Sequence, residues 1–179
     1  MPKTERTELF PVVDGEGRVT GCATRGECHN GMSMLLHPVV HLHILTPDRG
    51  SIMLQRRSMS KDIQPGRWDT AVGGHVDYGE TVADALLRES AEELGIDASE
   101  ARPLCRYEWR SERERERELV NVYILMADPA SLSVTPDPDE VDEVRFWPFA
   151  DLEAIRGGGI LTPNFEQELD RIMPLIDAL

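Results

Sequence analysis

Apolar and polar positions divide the chain into short alternating runs with one long helical stretch among them. Residues 9–13 and 19–22 flank Asp14-Gly15-Glu16-Gly17, the pattern of a hairpin. Residues 36–45 alternate as a strand. One face would carry Val40, Leu42 and Ile44, and the other His37, Val39, His41 and His43. Pro38 predicts an edge position or a later start for that strand. Pro47-Asp48-Arg49-Gly50 supplies turn chemistry, and residues 52–55 form the partner strand. Residues 70–72 predict a short strand ending at Gly73-Gly74. Residues 81–94 have helical periodicity, with Thr81 and Asp84 at capping-box spacing and Gly95 placed to terminate the helix. Further strands are predicted at 119–126 and 144–147, a surface loop at 128–139, and helices at 149–155 and 164–179. Strands interleaved with helices predict a sheet covered on both faces.

The chain's 179 residues suit a single domain, with residues 1–35 as a hairpin extension. Hydrophobic residues make up 40% and there are 14 glycines, a composition that excludes disorder throughout. Asp plus Glu numbers 33 against 19 Lys plus Arg, a formal charge of −14. So acidic a chain is not expected to bind nucleic acid or anionic membrane nonspecifically. No apolar run approaches bilayer length, and residues 1–10 lack a signal-peptide core, so a cytoplasmic location is expected. Cys22, Cys28 and Cys105 form no C-x-x-C pair and read as free thiols in a reducing compartment.

The helix at 81–94 carries the chemistry. Glu89, Glu92 and Glu93 stand at i, i+3 and i+4 and share one helical face. A stripe of glutamates is ordinarily a solvated surface. Here Val82, Ala85 and Leu86 lie on the same side one turn earlier, so the carboxylates do not simply continue a wet face. Their mutual repulsion is relieved by protonation or by a divalent cation, and hard oxygen donors on a rigid helix suit Mg²⁺ or Mn²⁺.

Gly74, five residues, Glu80, seven residues, Arg88-Glu89, two residues, Glu92-Glu93, one residue and Gly95-Ile96 together match the Nudix box. The sequence therefore resembles the Nudix hydrolases, with Ser90 in a slot that is normally aliphatic. The resemblance implies an α/β/α sandwich with a mixed central sheet and hydrolysis of a diphosphate linkage, often in a nucleoside diphosphate derivative. It also implies that Glu89, Glu92 and Glu93 ligate Mg²⁺ or Mn²⁺. Arg88 would tether the glutamates, Gly74 would offer its carbonyl to the metal, and Glu80 would brace the loop.

A second resemblance covers Arg56-Arg57-Ser58-Met59-Ser60-Lys61, Pro65-Gly66-Arg67-Trp68, Gly74-His75 and Gly79-Glu80. These stretches are similar to isopentenyl diphosphate isomerase, a branch of the same superfamily. It implies metal ligands at His37, His75, Glu116 and Glu118, and diphosphate contacts at Arg57 and Lys61. His29 lies near a further isomerase histidine, but its spacing to His37 is off by one and it is not carried over. His41 and His43 are expected to be structural. The isomerase's acid–base cysteine falls at Gly73, which has no side chain to move a proton.

Residues 112–118 alternate Glu and Arg. As a strand they place the glutamates on one face, bringing Glu116 or Glu118 toward the metal helix; the competing expectation is a solvated hairpin arm. Glu140 and Glu143 are weaker candidates of the same kind. Trp68, Trp109 and Trp147 are expected in the core. The function expected is metal-dependent hydrolysis of a small diphosphate substrate. The alternatives are an isomerase of isopentenyl diphosphate or a non-catalytic metabolite sensor. A homodimer is the default expectation for an assembly.

Overall fold

A computed structural model describes residues 8–111, 113 and 116–179. In chain order the elements are β1 (Leu9–Val13), β2 (Val19–Thr24), α1 (Arg25–Cys28), β3 (His37–Leu45), β4 (Ser51–Arg57), β5 (Trp68–Thr70), β6 (Val72–His75), α2 (Val82–Leu94), β7 (Arg102–Ser111), β8 (Glu116–Met126), β9 (Val141–Pro148), α3 (Phe149–Ile155) and α4 (Pro163–Asp177). β1 and β2 form an antiparallel ribbon. The other seven strands form a sheet ordered β5-β4-β3-β8-β7, with β6 beside β3 and β9 beside β4. The fold is mixed α/β with a mixed central sheet, as the Nudix resemblance implies. Among the described residues, no helix is long and apolar enough to cross a membrane.

The described residues group into two compact units. The first draws on residues 8–40, 74–85 and the described part of 106–121, and the second on 41–73, 86–105 and 122–179. In the first unit the ribbon turns where Asp14 Oδ1 accepts the Glu16 and Arg18 amides at 3.0 and 2.9 Å. Gly17 there takes φ +82°, a left-handed conformation that glycine adopts without penalty. Phe10, Ala23 and Cys28 make one small core, and Val13, Leu36 and Leu119 another.

In the second unit the core gathers Leu42, Ile44, Leu54, Leu94, Phe165 and Ile172, each fully buried. Register assigns the faces. Ile44 pairs with Met53, and Leu54 with Thr70. Paired residues of antiparallel strands share a face, and successive residues alternate. Ile44, Met53 and Gln55 therefore occupy one face, and His41, His43, Leu54 and Thr70 the other. Glu93 of α2 bonds to Gln55 on the first face, and Glu168 of α4 bonds to His41 and His43 on the second. Both faces of the sheet are covered, which is why all nine residues of β3 are buried.

Four local expectations need correction. Pro38 neither delays the start of β3 nor places it at an edge. It stands second in a strand flanked by others, and its carbonyl accepts the Val76 amide at 3.2 Å. The predicted strand at 70–72 is two strands, β5 and β6, separated at Ala71. β7 has no counterpart in the pattern reading, because its polar and apolar residues do not alternate cleanly. The short α1 also escaped notice, although Thr24 and Glu27 form a reciprocal capping box there. Within the alternating run, Glu112, Glu114 and Arg115 lie outside the described residues.

Candidate functional site

Two groups of side chains that could hold a cation are found among the described residues, one in each unit. The second unit holds the box glutamates on residues 86–94 of α2. The helix ends where the Gly95 amide bonds to the Ala91 carbonyl at 3.1 Å and the Ile96 amide to the Ser90 carbonyl at 3.2 Å. Gly95 has φ +63°, and a Cβ on it would stand 3.2 Å from the Thr135 carbonyl oxygen. The Pro- and Asp-rich loop satisfies the remaining carbonyls, with Thr135 N–H on Leu94 and Asp137 N–H on Glu93, each at 2.8 Å. The end of the helix is thereby fixed.

The three glutamates have unlike surroundings. Glu93 is 8% exposed and accepts the Gln55 Nε2 amide at 2.9 Å and the Gly73 amide at 3.4 Å, both on Oε2. Burial, and then the charge of Glu89, pushes its carboxyl up to about 8. Its two donors are neutral and supply no compensating charge. Glu89 accepts from Arg88 Nη1 at 2.7 Å. Glu92 is exposed and lies 3.5 Å from the same nitrogen. Arg88 thus stands beside two of the three carboxylates. Ser90 is fully buried, and among the described residues its Oγ has no hydrogen-bond partner.

The cations expected to receive phosphate are paired. Arg57 donates to the Ile63 carbonyl at 3.1 Å and lies 3.5 Å from Asp69. Lys61 forms an ion pair with Glu140, and Arg56 lies 3.6 Å from Glu143. Trp68 is buried and meets Trp147 edge to face at 5.2 Å, with the Arg145 guanidinium 3.8 Å above the Trp147 ring.

The first unit holds the second group. His29 caps the end of α1, His37 opens β3 and His75 closes β6. Their ligand atoms all lie within 4.8 Å of one another. Among the described residues, this is the trio of potential ligands that meets so closely. The His37 and His75 rings are nearly parallel, 12° apart, and His29 stands edge-on to both. Phe10 stacks on His75 at 4.4 Å and 2°, walling the group with an apolar ring.

Electrostatics here favour neutral imidazoles. Burial, then the nearby charges of His37 and Arg25, takes His29 down to about 4. Burial also lowers His37, against the pull of the Leu35 carbonyl 2.9 Å from its Nδ1. A proton on Nδ1 donated to that carbonyl leaves Nε2 as a lone-pair donor, the arrangement typical of a histidine ligand. His37 Nε2 and both His29 nitrogens are buried with no hydrogen-bond partner among the described residues. Buried imidazole nitrogens so arranged fit a cation. Glu116 Oε1 lies 3.9 Å from His29, and Glu118 Oε1 lies 3.9 Å from His75.

The structure brings His37 and His75 together and sets Glu116 and Glu118 at their margin. It adds His29, which residue spacing had set aside. The Thr24–Glu27 capping box was the available signal, because a helical turn shortens the path and absorbs a one-residue offset. Glu80 accepts the Asp77 amide at 3.0 Å, within the loop it was expected to brace. Gly74 lies in β6, directly before His75.

Comparison with known proteins places this geometry in a family. The NUDIX domain family matches residues 35–174. An isopentenyl-diphosphate Delta-isomerase of Mycolicibacterium vanbaalenii is 31% identical over 99% of this chain and 96% of its own length. An uncharacterised Nudix hydrolase of Listeria innocua is 33% identical over 73% of this chain and 74% of its own length. A crystal structure from Deinococcus radiodurans superposes with a TM-score of 0.73 at 24% identity, covering 93% of this chain and 99% of that one, a likeness of fold. With the family match spanning most of the chain, the protein belongs to the Nudix family.

Proposed function

We propose that the protein is a divalent-metal-dependent hydrolase of a diphosphate linkage in a nucleoside diphosphate derivative or related metabolite. The observation that carries this reading is Glu93, a buried carboxylate beside Glu89 whose hydrogen bonds among the described residues come from neutral donors. A divalent cation relieves that arrangement. Glu89, Glu92 and Glu93 would hold Mg²⁺ or Mn²⁺, which when bound neutralises phosphate oxygens and acidifies water.

The chain's own residues supply the rest. Gln55 and the Gly73 amide fix Glu93 Oε2, so the carboxylate meets its partner in one orientation. With Oε2 held by two neutral donors, Glu93 is suited to orient the attacking water and accept its proton. Arg88 holds Glu89 in place. Arg57 and Lys61 are proposed to receive the substrate's phosphates in exchange for Asp69 and Glu140. The test is a screen of nucleoside diphosphate derivatives with Mg²⁺ or Mn²⁺, using Glu93→Gln as the blank. Hydrolysis that persists in that variant overturns the assignment.

A second reading, isomerisation of isopentenyl diphosphate, is favoured by the histidine group of the first unit and by the name of the Mycolicibacterium vanbaalenii relative. Against it stands Gly73, which offers no side chain for proton transfer. Formation of the dimethylallyl product from isopentenyl diphosphate would establish that reading in place of hydrolysis.

A further inference from the structure

The second unit buries three titratable groups that the proposed chemistry does not use. His41 Nδ1 lies 2.8 Å from Glu168 Oε2, and His43 Nε2 contacts Glu168 Oε1. Glu168 is 1% exposed. Burial alone would push its carboxyl up, but the charge of His41 and the hydrogen bonds from both imidazoles hold it far below the usual carboxylate range. Burying such a cluster is costly, and apolar residues of similar volume commonly serve stability as well or better. The cost suggests a use beyond packing.

The two histidines are alike except in one respect. Both are buried, both lie on the same face of β3, and both reach Glu168. His43 turns its other nitrogen toward Thr70 Oγ1 at 3.3 Å. His41 instead presents a ring edge to Gly73. A Cβ built on Gly73 would stand 3.5 Å from His41 Cδ2 and 3.8 Å from its Nε2, with Thr70 Cγ2 at 3.4 Å bordering the same space. The imidazole lines the space where a side chain at residue 73 would extend. The Gly73 amide is one of the two donors on Glu93. A path of neighbours therefore runs from Glu168 on α4 to His41, across the space beside Gly73 of β6, and from the Gly73 amide to Glu93 on α2.

We propose that His41, oriented by Glu168, is a positioning residue for Glu93, acting through the backbone of Gly73. The inference rests on the hydrolase reading for its catalytic consequence. Its structural content, that His41 and not His43 sets the Gly73 amide, stands apart from that reading.

The experiment compares two conservative variants of the full chain. His41→Asn keeps a donor where Nδ1 meets Glu168 but removes the ring edge beside Gly73. His43→Gln keeps a donor where Nε2 meets Glu168 and reaches Gly73 only through Thr70. Thermal melts gauge the structural cost of each. Hydrolysis kinetics with Mg²⁺ and amide exchange at ¹⁵N-labelled Gly73 are then measured. We expect His41→Asn to lower kcat at least tenfold with KM nearly unchanged, and to speed exchange at Gly73 at least tenfold. His43→Gln should leave both near wild type even where its melting temperature falls as far. Equal changes in the two variants, or no change in either, overturn the proposal. A wild-type chain that hydrolyses no diphosphate overturns the hydrolase reading alone, and the exchange contrast then still decides whether His41 holds Gly73.

Discussion

The box glutamates of α2 and the histidine trio of the first unit both gather donors for a cation, by opposite means. The glutamates share a helical face through spacing alone, so any chain that forms the helix brings their backbones together. Their side chains nonetheless diverge, with Glu93 buried, Glu89 held by Arg88 and Glu92 exposed. The histidines come from a helix end, the start of one strand and the end of another. Their nitrogens still converge within 4.8 Å. Local spacing guarantees proximity of α-carbons, whereas convergence of ligand atoms depends on tertiary packing. The carboxylates are proposed as a site that substrate and metal would draw together, whereas the imidazole nitrogens already stand close.

Removing one member from each site gives the widest separation between them. Glu93→Gln should lower diphosphate hydrolysis on the order of 10²–10⁴-fold, as loss of a general base does. Steady-state kinetics at saturating Mg²⁺ check it, and near-normal activity would break the contrast at its stronger end. His37→Asn should weaken Mn²⁺ or Co²⁺ binding by at least roughly 10–100-fold, measured by calorimetry on protein stripped with chelator. If that variant binds either ion as tightly as the parent does, the histidine group is not a preformed metal site.

Acid and base act on the two regions in opposite senses. Glu93 has a raised pKa, so the folded state holds its proton more tightly than the unfolded chain does. Metal-free protein should therefore lose stability as pH rises from about 4.5 to about 8, by no more than roughly 1.4 kcal/mol per pH unit. His29 has a lowered pKa, so its contribution is lost as pH falls from about 6.5 to about 4. Urea midpoints across this range should fall on both sides. Glu93→Gln should flatten the alkaline limb and His29→Asn the acid one. A single variant that flattened both limbs would merge what is described here as two sites. The smallest effect belongs to Ser90, whose buried hydroxyl has no partner among the described residues. Ser90→Ala should stabilise the chain by about 1 kcal/mol, read from denaturant unfolding, with hydrolysis unchanged.

The contrast also explains what could be read from the chain itself. The helix at Val82–Leu94, its cap at Thr81 and its stop at Gly95 depend on neighbours in sequence and were legible, as was α3 at Phe149–Ile155. The course of β3 through Pro38 was not, because a second-position proline is tolerated where the ladder does not need its missing N–H, and that depends on the segments beside it. His29 escaped for a related reason. A linear offset of one residue has meaning only once the intervening chain has a shape, and α1 supplies that shape. His41 and His43 were read as structural from β3 alone, since nothing in that strand announces a glutamate 125 residues onward. The burial of Glu93 and the exposure of Glu92, adjacent in sequence, likewise follow from Gln55 and Gly73.

Ser90 carries a consequence for the adaptability of this scaffold. Its α-carbon is one residue from Glu89 and two from Glu92, yet its side chain looks inward to a dry interior. A modest gain in robustness is thus available at a point where no ligand would have to be exchanged. A descendant selected for warmth could acquire it there first, leaving its working surface for later refinement.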